Sequence, residues 1–233
     1  MNLTRGSSTV PNPAFTRWTG VALASGGALT LIINAVLTPL LPRHIPFATT
    51  ATSSVFLWRQ GASAVAVALL LFGSVGLYLR HAERAGPFGA VAFAVAFLGS
   101  ALVLGTEWNE VFLVRDLALR APDALRTLDT GARPSLYDLG AMIPIGMFTV
   151  GWVALAAVTL RTDRASRRAA GLVIAGFFSI PILSAALPGV WGAVLGNGIL
   201  GSGWFWLGHD LRGGAATSPT QGAAAPRPDT PLS

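Results

Sequence analysis

The chain has no cysteine and no lysine, three histidines, and few charges: only 11% of its 233 residues are Asp, Glu, Lys or Arg. Without cysteine there are no disulfides, no thiol catalysis and no cysteine-held metals. Without lysine there is no Schiff-base chemistry, which excludes a retinal photoreceptor. The histidines His44, His81 and His209 are too few and too dispersed for a metal site, and none pairs within an apolar segment as a bilayer haem would need. No metal, cofactor or catalytic residue is therefore assigned. A soluble domain carries about 25% charge, so most of this chain avoids water.

In place of charge there are long apolar runs, and hydrophobic residues make up 52% of the chain. Helices are expected at about 18–41, 54–79, 87–114, 136–160, 169–187 and 189–211. Each is long enough to cross a ~30 Å hydrocarbon core. The fold class is therefore all-α: a polytopic membrane protein with six transmembrane helices as three successive hairpins. Residues 1–17 form an N-terminal segment, 18–212 the transmembrane domain, and 213–233 a tail rich in Ala, Pro, Thr and Gly that is expected to be disordered. The first span is read as retained, because no small-residue cleavage site follows it.

All 16 basic residues are arginine, and their placement orients the chain. With the N-terminus cytoplasmic, that side holds Arg5, Arg17, Arg80, Arg84, Arg161, Arg164, Arg167, Arg168, Arg212 and Arg227. The other side holds Arg43, Arg59, Arg115, Arg120, Arg126 and Arg133, four of them in one long loop. The positive-inside rule then places both termini in the cytoplasm. The arginines form no basic stripe, so the net charge of +6 is not a nucleic-acid footprint. Arginine without lysine, with abundant Ala and Gly, reads as the codon bias of a GC-rich bacterial genome, which implies the inner membrane.

At the cytoplasmic boundary Arg17-Trp18-Thr19-Gly20, Arg84-Ala85-Gly86 and Arg168-Ala169-Ala170-Gly171 open helices, while Leu79-Arg80, Leu160-Arg161 and Leu211-Arg212 close them. This pattern fits a parallel repeat around a shared pathway. It also fits three boundaries that each select a snorkelling arginine, and the unequal unit lengths favour that simpler origin. Helix 6 carries Gly192, Gly196, Gly198, Gly201 and Gly203 and should be packed centrally or at a dimer interface.

Ionisable groups inside a membrane are costly and so informative. Arg59 and Gln60 sit early in helix 2, Glu107, Asn109 and Glu110 late in helix 3, and Asp138 opens helix 4. With the hairpin turning near Ala82–Glu83, Arg59 and Glu107 come to one depth, near the outer edge of the hydrocarbon. An Arg59–Glu107 ion pair is expected, with Glu110 one turn further out and Asn34 joining from helix 1. That pairing predicts that Glu107→Gln costs stability. Arg59, Glu107, Glu110 and Asn34 form the candidate ligand site; the simpler alternative is an interfacial bridge that locks the hairpin. Gln60, Asn109, Asp138 and Asn197 are read as structural. Asp138 would return to the Ser135 amide in a capping box, and Asn197 would hydrogen-bond a neighbouring helix. In the outer loop, about 115–135, Leu117, Ala121, Leu125 and Leu128 recur at helical spacing, and Pro122 suits a fresh turn.

Enzyme signatures fare poorly. Ser202 and His209 lie on one helix about 10 Å apart and cannot hydrogen-bond. Glu107-Trp108-Asn109-Glu110 followed by Arg115 is similar to the paired-glutamate motif of intramembrane CAAX-type proteases, but the adjacent glutamates and later helical histidines are missing. The stretch from Gly151 to Arg212, with its Leu-Arg turn, Arg-Arg-Ala-Ala-Gly restart and Gly-rich last helix, resembles small uncharacterised bacterial six-helix integral membrane proteins. That resemblance implies topology and no activity. The function expected is binding or passage of a small amphipathic ligand through a polar pocket at the outer end of helices 2 and 3. The alternatives are a non-catalytic scaffold, sensor or accessory subunit, and a lipid-modifying enzyme. The expected partner is the lipid bilayer.

Overall fold

A computed structural model describes residues 12–126, 128 and 136–216. Every regular element among them is helical. Helix α1 spans Pro13–Ile32, with Asn12 as N-cap accepting from the Ala14 amide at 2.9 Å and proline at the first turn. It continues as a π-helical segment, Ile33–Leu37. A short α2, Phe47–Thr52, leads into the long α3, Ser54–Asn109, capped by Ser53. A second π-helical segment, Glu110–Val114, precedes α4, Arg115–Arg120, and the 3₁₀ turn Pro122–Leu125. Then come α5, Leu136–Thr162, α6, Arg167–Ala186, and α7, Trp191–Ala216.

Helix α3 is two helices in space. Gly86 has φ 57° and ψ −159°, a conformation open only to glycine, and Pro87 restarts the helix where its missing N–H costs nothing. Tyr78 and Phe93 would stand about 22 Å apart on a straight helix, yet their rings stack at 4.5 Å. The chain therefore folds back at Gly86. Around that hairpin α1, α3, α5, α6 and α7 close a ring: α1 packs on α3 and α7, α7 on α6, α6 on α5, and α5 on α3.

Glycine makes these seams tight. A Cβ on Gly27 would lie 2.4 Å from the Phe205 backbone nitrogen, and one on Gly208 would lie 2.3 Å from that of Ala24, so α1 and α7 touch backbone to backbone. Gly99 and Gly151 do the same between α3 and α5. Helix α7 is packed through its glycines on both neighbours: Gly192, Gly196 and Gly203 face α6, Gly201 and Gly208 face α1, and only Gly198 of the glycines singled out there faces open space.

Four stretches are long and apolar enough to cross a membrane: Ala14–Leu37, Ser54–Arg120, Gly140–Thr162 and Arg167–Ala186. Large apolar side chains also point outward, among them Trp58 at 69% exposure, Ile182 and Val91. Apolar surface on that scale belongs in lipid, and the protein is membrane-embedded. Helix α7 is diluted by Gly, Trp and Asn and is not among the four.

Both ends of the bundle are tied. At one end Arg80, just before the Gly86 turn, pairs with Asp163 at 2.8 Å and donates to the Asp210 carbonyl at 2.9 Å. His81 Nδ1 lies 3.1 Å from Thr162 Oγ1 in the same knot. Asp163 also accepts from the Ala165 amide and the Ser166 hydroxyl. Burial alone would raise the Asp163 carboxyl, but Arg80 and these hydrogen bonds outweigh it and hold it below the usual carboxylate range. Arg161 and Arg212, which close the other helices with the same Leu-Arg pair, are exposed. The three Leu-Arg ends are thus chemically unequal.

At the opposite end a small second core joins Ala51, Phe56, Val114, Ala118 and Leu125. Arg115 clamps it by donating to the carbonyls of Ala51 and Ser53. The helix runs on past the expected end at 114 to Arg120, and a new turn begins at Pro122. Leu117, Leu125 and Leu128 pack inward, while Ala121, at the break, is exposed.

Helix ends differ from the sequence reading in small ways. α1 starts at Pro13, because Asn12 and Pro13 supply a cap ahead of the apolar run. α7 runs to Ala216, so residues 213–216, expected in a disordered tail, are helical. Hydropathy marks where burial stops, and a helix carries on past that point by its own hydrogen bonds. The rest of the tail, from 217, the first 11 residues, Ser135 and the side chain of Asp138 lie outside the described residues, and with them the capping box.

Candidate functional site

The five ring helices enclose a partly open cavity of about 450 Å³ toward the α2/α4 end, within the size range of small-molecule sites. α1 contributes Thr30, its π-helical continuation contributes Ile33 and Asn34, and the two arms of α3 contribute Arg59, Ser63, Ala66, Val67 and Leu70 with Val103 and Glu107. The far wall is Ile145, Phe148 and Thr149 of α5, Phe177, Ile180 and Pro181 of α6, and Asn197, Leu200 and Trp204 of α7.

Local backbone irregularities coincide with this level. The π-helical turn lets the Thr38 amide reach back to the Ile33 carbonyl at 3.0 Å, which locally widens α1 beside Asn34. Pro181 cannot donate to the carbonyl four residues earlier, so α6 gives up a helical hydrogen bond beside Phe177. The inner floor is aromatic: Phe148, Phe177 and Trp204 meet edge to face at 5.8 to 5.9 Å, and Trp152 joins Trp204 at 5.4 Å. Trp152 is fixed in turn by donating to Ser100 Oγ at 3.1 Å.

Arg59, Glu107 and Asn34 all line this cavity, as the sequence reading grouped them, while Glu110 does not. Arg59 and Glu107 do not form the expected ion pair, and the hairpin explains why. The turn sits at Gly86, later than the Ala82–Glu83 inferred from hydropathy. With Tyr78 opposite Phe93, the residue level with Glu107 is near Ala64, and Arg59 falls about 7 Å further out. Its guanidinium donates instead to Thr38 Oγ1 at 3.2 Å and to Gln60 Oε1. Gln60, buried at 3% exposure, stands between the charges, its side chain close to both Arg59 and Glu107. Asn109 is exposed. Asn197 donates to Ala193 of its own helix at 2.9 Å, and not to a neighbouring helix.

Two buried polar atoms of the cavity residues have no hydrogen-bond partner: Glu107 Oε2 and Trp204 Nε1. Leaving such atoms unpaired is costly, most of all for a carboxylate in an apolar surround. Among the described residues there is no group of three His, Cys, Asp or Glu that would hold a metal. Apart from Asn197, sequence reasoning missed the far wall, because Phe148, Phe177 and Trp204 are ordinary members of apolar runs. Their one signal is proximity in sequence to Pro181 and to Asn197, polar or helix-bending residues inside spans.

The chain matches no protein-family model, no curated protein and no solved structure.

Proposed function

We propose that this protein binds, or passes, a small amphipathic ligand through the cavity between Glu107 and Trp204, in a bacterial inner membrane. The observation that carries this is the partly open cavity itself, with Asn34, Arg59 and Glu107 on its wall at one end and the aromatic cluster of Phe148, Phe177 and Trp204 at the other.

The topology proposed is six spans in three hairpins with both termini cytoplasmic. The 67-residue stretch Ser54–Arg120 is far too long for one crossing, and the Gly86 break divides it into two. With α7 added to the remaining three stretches the total is six. Arg80, Asp163 and Asp210 meet at one end, where the arginine-rich turns also lie, and that end is assigned to the cytoplasm. The cavity then opens in the outer half.

The test is a structure of the protein in nanodiscs drawn directly from its membrane, for wild type and for Ser63→Phe, which fills the cavity. Non-protein density between Glu107 and Trp204, present in the first and absent in the second, is the expected result. A closed, dry cavity in which Glu107 has found a protein partner refutes ligand binding and turns attention to a scaffold role.

A further inference from the structure

The ring of helices is not closed equally well all round. Gly27 and Gly208 seat α1 on α7, Gly73 and Gly76 seat α3 on α1, Gly99 and Gly151 join α3 to α5, and Gly176 and Gly196 join α6 to α7. No described glycine joins α5 to α6: Gly140 and Gly146 on α5 face open space, and so does Gly171 on α6. In lipid, close backbone approach drives helix association, and the α5–α6 seam is the loosest of the ring.

Both helices are also interrupted at this seam. Phe148 of α5 meets Phe177 of α6 at 5.8 Å, and the two helices run antiparallel, so Pro144 stands about level with Pro181. Each proline withholds a helical N–H, from the Gly140 and Phe177 carbonyls respectively, and each is a point at which a helix bends.

The cavity reaches the surface here. Of the residues that line it, only Ile145 of α5 and Pro181 of α6 are exposed. Around them Met142 and Ile143 on α5, and Phe178 and Ile182 on α6, point outward as well. Neither helix carries a charged residue between 140 and 160 or between 169 and 186. The opening therefore lies at hydrocarbon depth and faces alkyl chains. Inside it, Phe148, Phe177 and Trp204 present a wall of aromatic carbon.

We propose, on the ligand-binding reading above, that the ligand is a lipid whose alkyl chain enters sideways from the bilayer between Ile145 and Pro181 and lies against Phe148, Phe177 and Trp204. The chain passes from hydrocarbon to an apolar wall without crossing water, and the two proline bends let the seam widen around it. What holds it is the filling of a void, because an empty cavity leaves its lining atoms without contacts on one side.

For the test, the full-length protein is placed in phosphatidylcholine nanodiscs in which some of the lipid carries a diazirine near the end of one acyl chain. After irradiation the labelled residues are mapped by mass spectrometry. A parallel sample in unlabelled nanodiscs receives a diazirine-bearing octanol, which can reach the cavity by any route. Leu200 and Trp204, each 2% exposed, line the cavity and are reached only from inside it, whereas Phe178, 59% exposed, reports the surrounding bilayer. The lipid probe should label Leu200 or Trp204 together with Phe178. Ile145→Trp, which narrows the opening, should abolish the label on Leu200 and Trp204 and keep it on Phe178. Val91→Trp, at an outward position on α3, should change neither. Labelling of the two buried residues by octanol but not by lipid overturns the lipid assignment and leaves the cavity standing as a ligand site. Lipid labelling that survives Ile145→Trp overturns the α5–α6 entry. No labelling of Leu200 or Trp204 by either probe overturns the ligand-binding reading itself. Ile145→Phe replaces the tryptophan variant should that one fail to fold.

Discussion

Gly151→Ala should destabilise this protein, although the same change in an ordinary helix is favourable. A Cβ at position 151 would lie 2.3 Å from the Ala96 nitrogen and 2.4 Å from its Cα, where ordinary contact begins at 3.4 Å. Both atoms are backbone, so no side chain can swing aside, and the α3–α5 seam must open by about 1 Å. A gap of that size forfeits a quarter to a half of the dispersion energy of the atoms it separates. Gly99, whose Cβ position lies 2.4 Å from the Phe148 nitrogen, shares the seam and loses its own close contact. In lipid, where close packing drives helix association, overpacking of this kind should cost about 1–3 kcal/mol. Gly105→Ala is the control: nothing lies within 4 Å of its Cβ position, and the change should be neutral or gain up to about 1 kcal/mol. Equilibrium unfolding in mixed micelles of rising SDS fraction, followed by tryptophan emission, measures both. If the two variants unfold at the same SDS fraction, the backbone-to-backbone seam is wrong.

The Arg80–Asp163 pair should contribute stability that depends on pH. The folded carboxyl titrates below its unfolded value of about 3.9, so the contribution is complete above that value and disappears as pH falls through the lower folded one. Arg80→Ala should cost about 1–3 kcal/mol at pH 7, and Asp163→Asn should flatten the acid limb of a thermal melt; an unaltered limb would remove Asp163 from the account. Glu107→Gln, by contrast, should leave the melting temperature unchanged or slightly higher, because the carboxylate oxygen it replaces has no partner to lose; a large drop would restore a direct bond to Arg59. The chain has no native cysteine, so single cysteines report topology cleanly. Arg164→Cys should resist a membrane-impermeant maleimide applied to spheroplasts, and Thr49→Cys should react; the reverse pattern would invert the orientation.

Composition and the spacing of arginines against apolar runs determined that this is a helical membrane protein, where its helices lie to within a few residues, and which turns hold the charge. These are one-dimensional quantities: transfer of side chains into hydrocarbon is summed along the chain, and no contact need be known. Arg59, Glu107 and Asn34 were also legible as a group, since ionisable or strongly polar groups inside apolar runs are rare and a hairpin brings equal depths together. Register was not. Moving the turn from Glu83 to Gly86 displaces Arg59 by about one and a half helical turns against Glu107, enough to hand its hydrogen bonds to Thr38 and Gln60. Nor could the chain alone reveal that Phe148, Phe177 and Trp204 would meet, because apolar residues in a span look the same whether they face lipid or each other. That choice is made by where glycine lets two backbones touch, and it is the closure of the α1–α3–α5–α6–α7 ring that turns one unpaired carboxylate into the wall of a cavity.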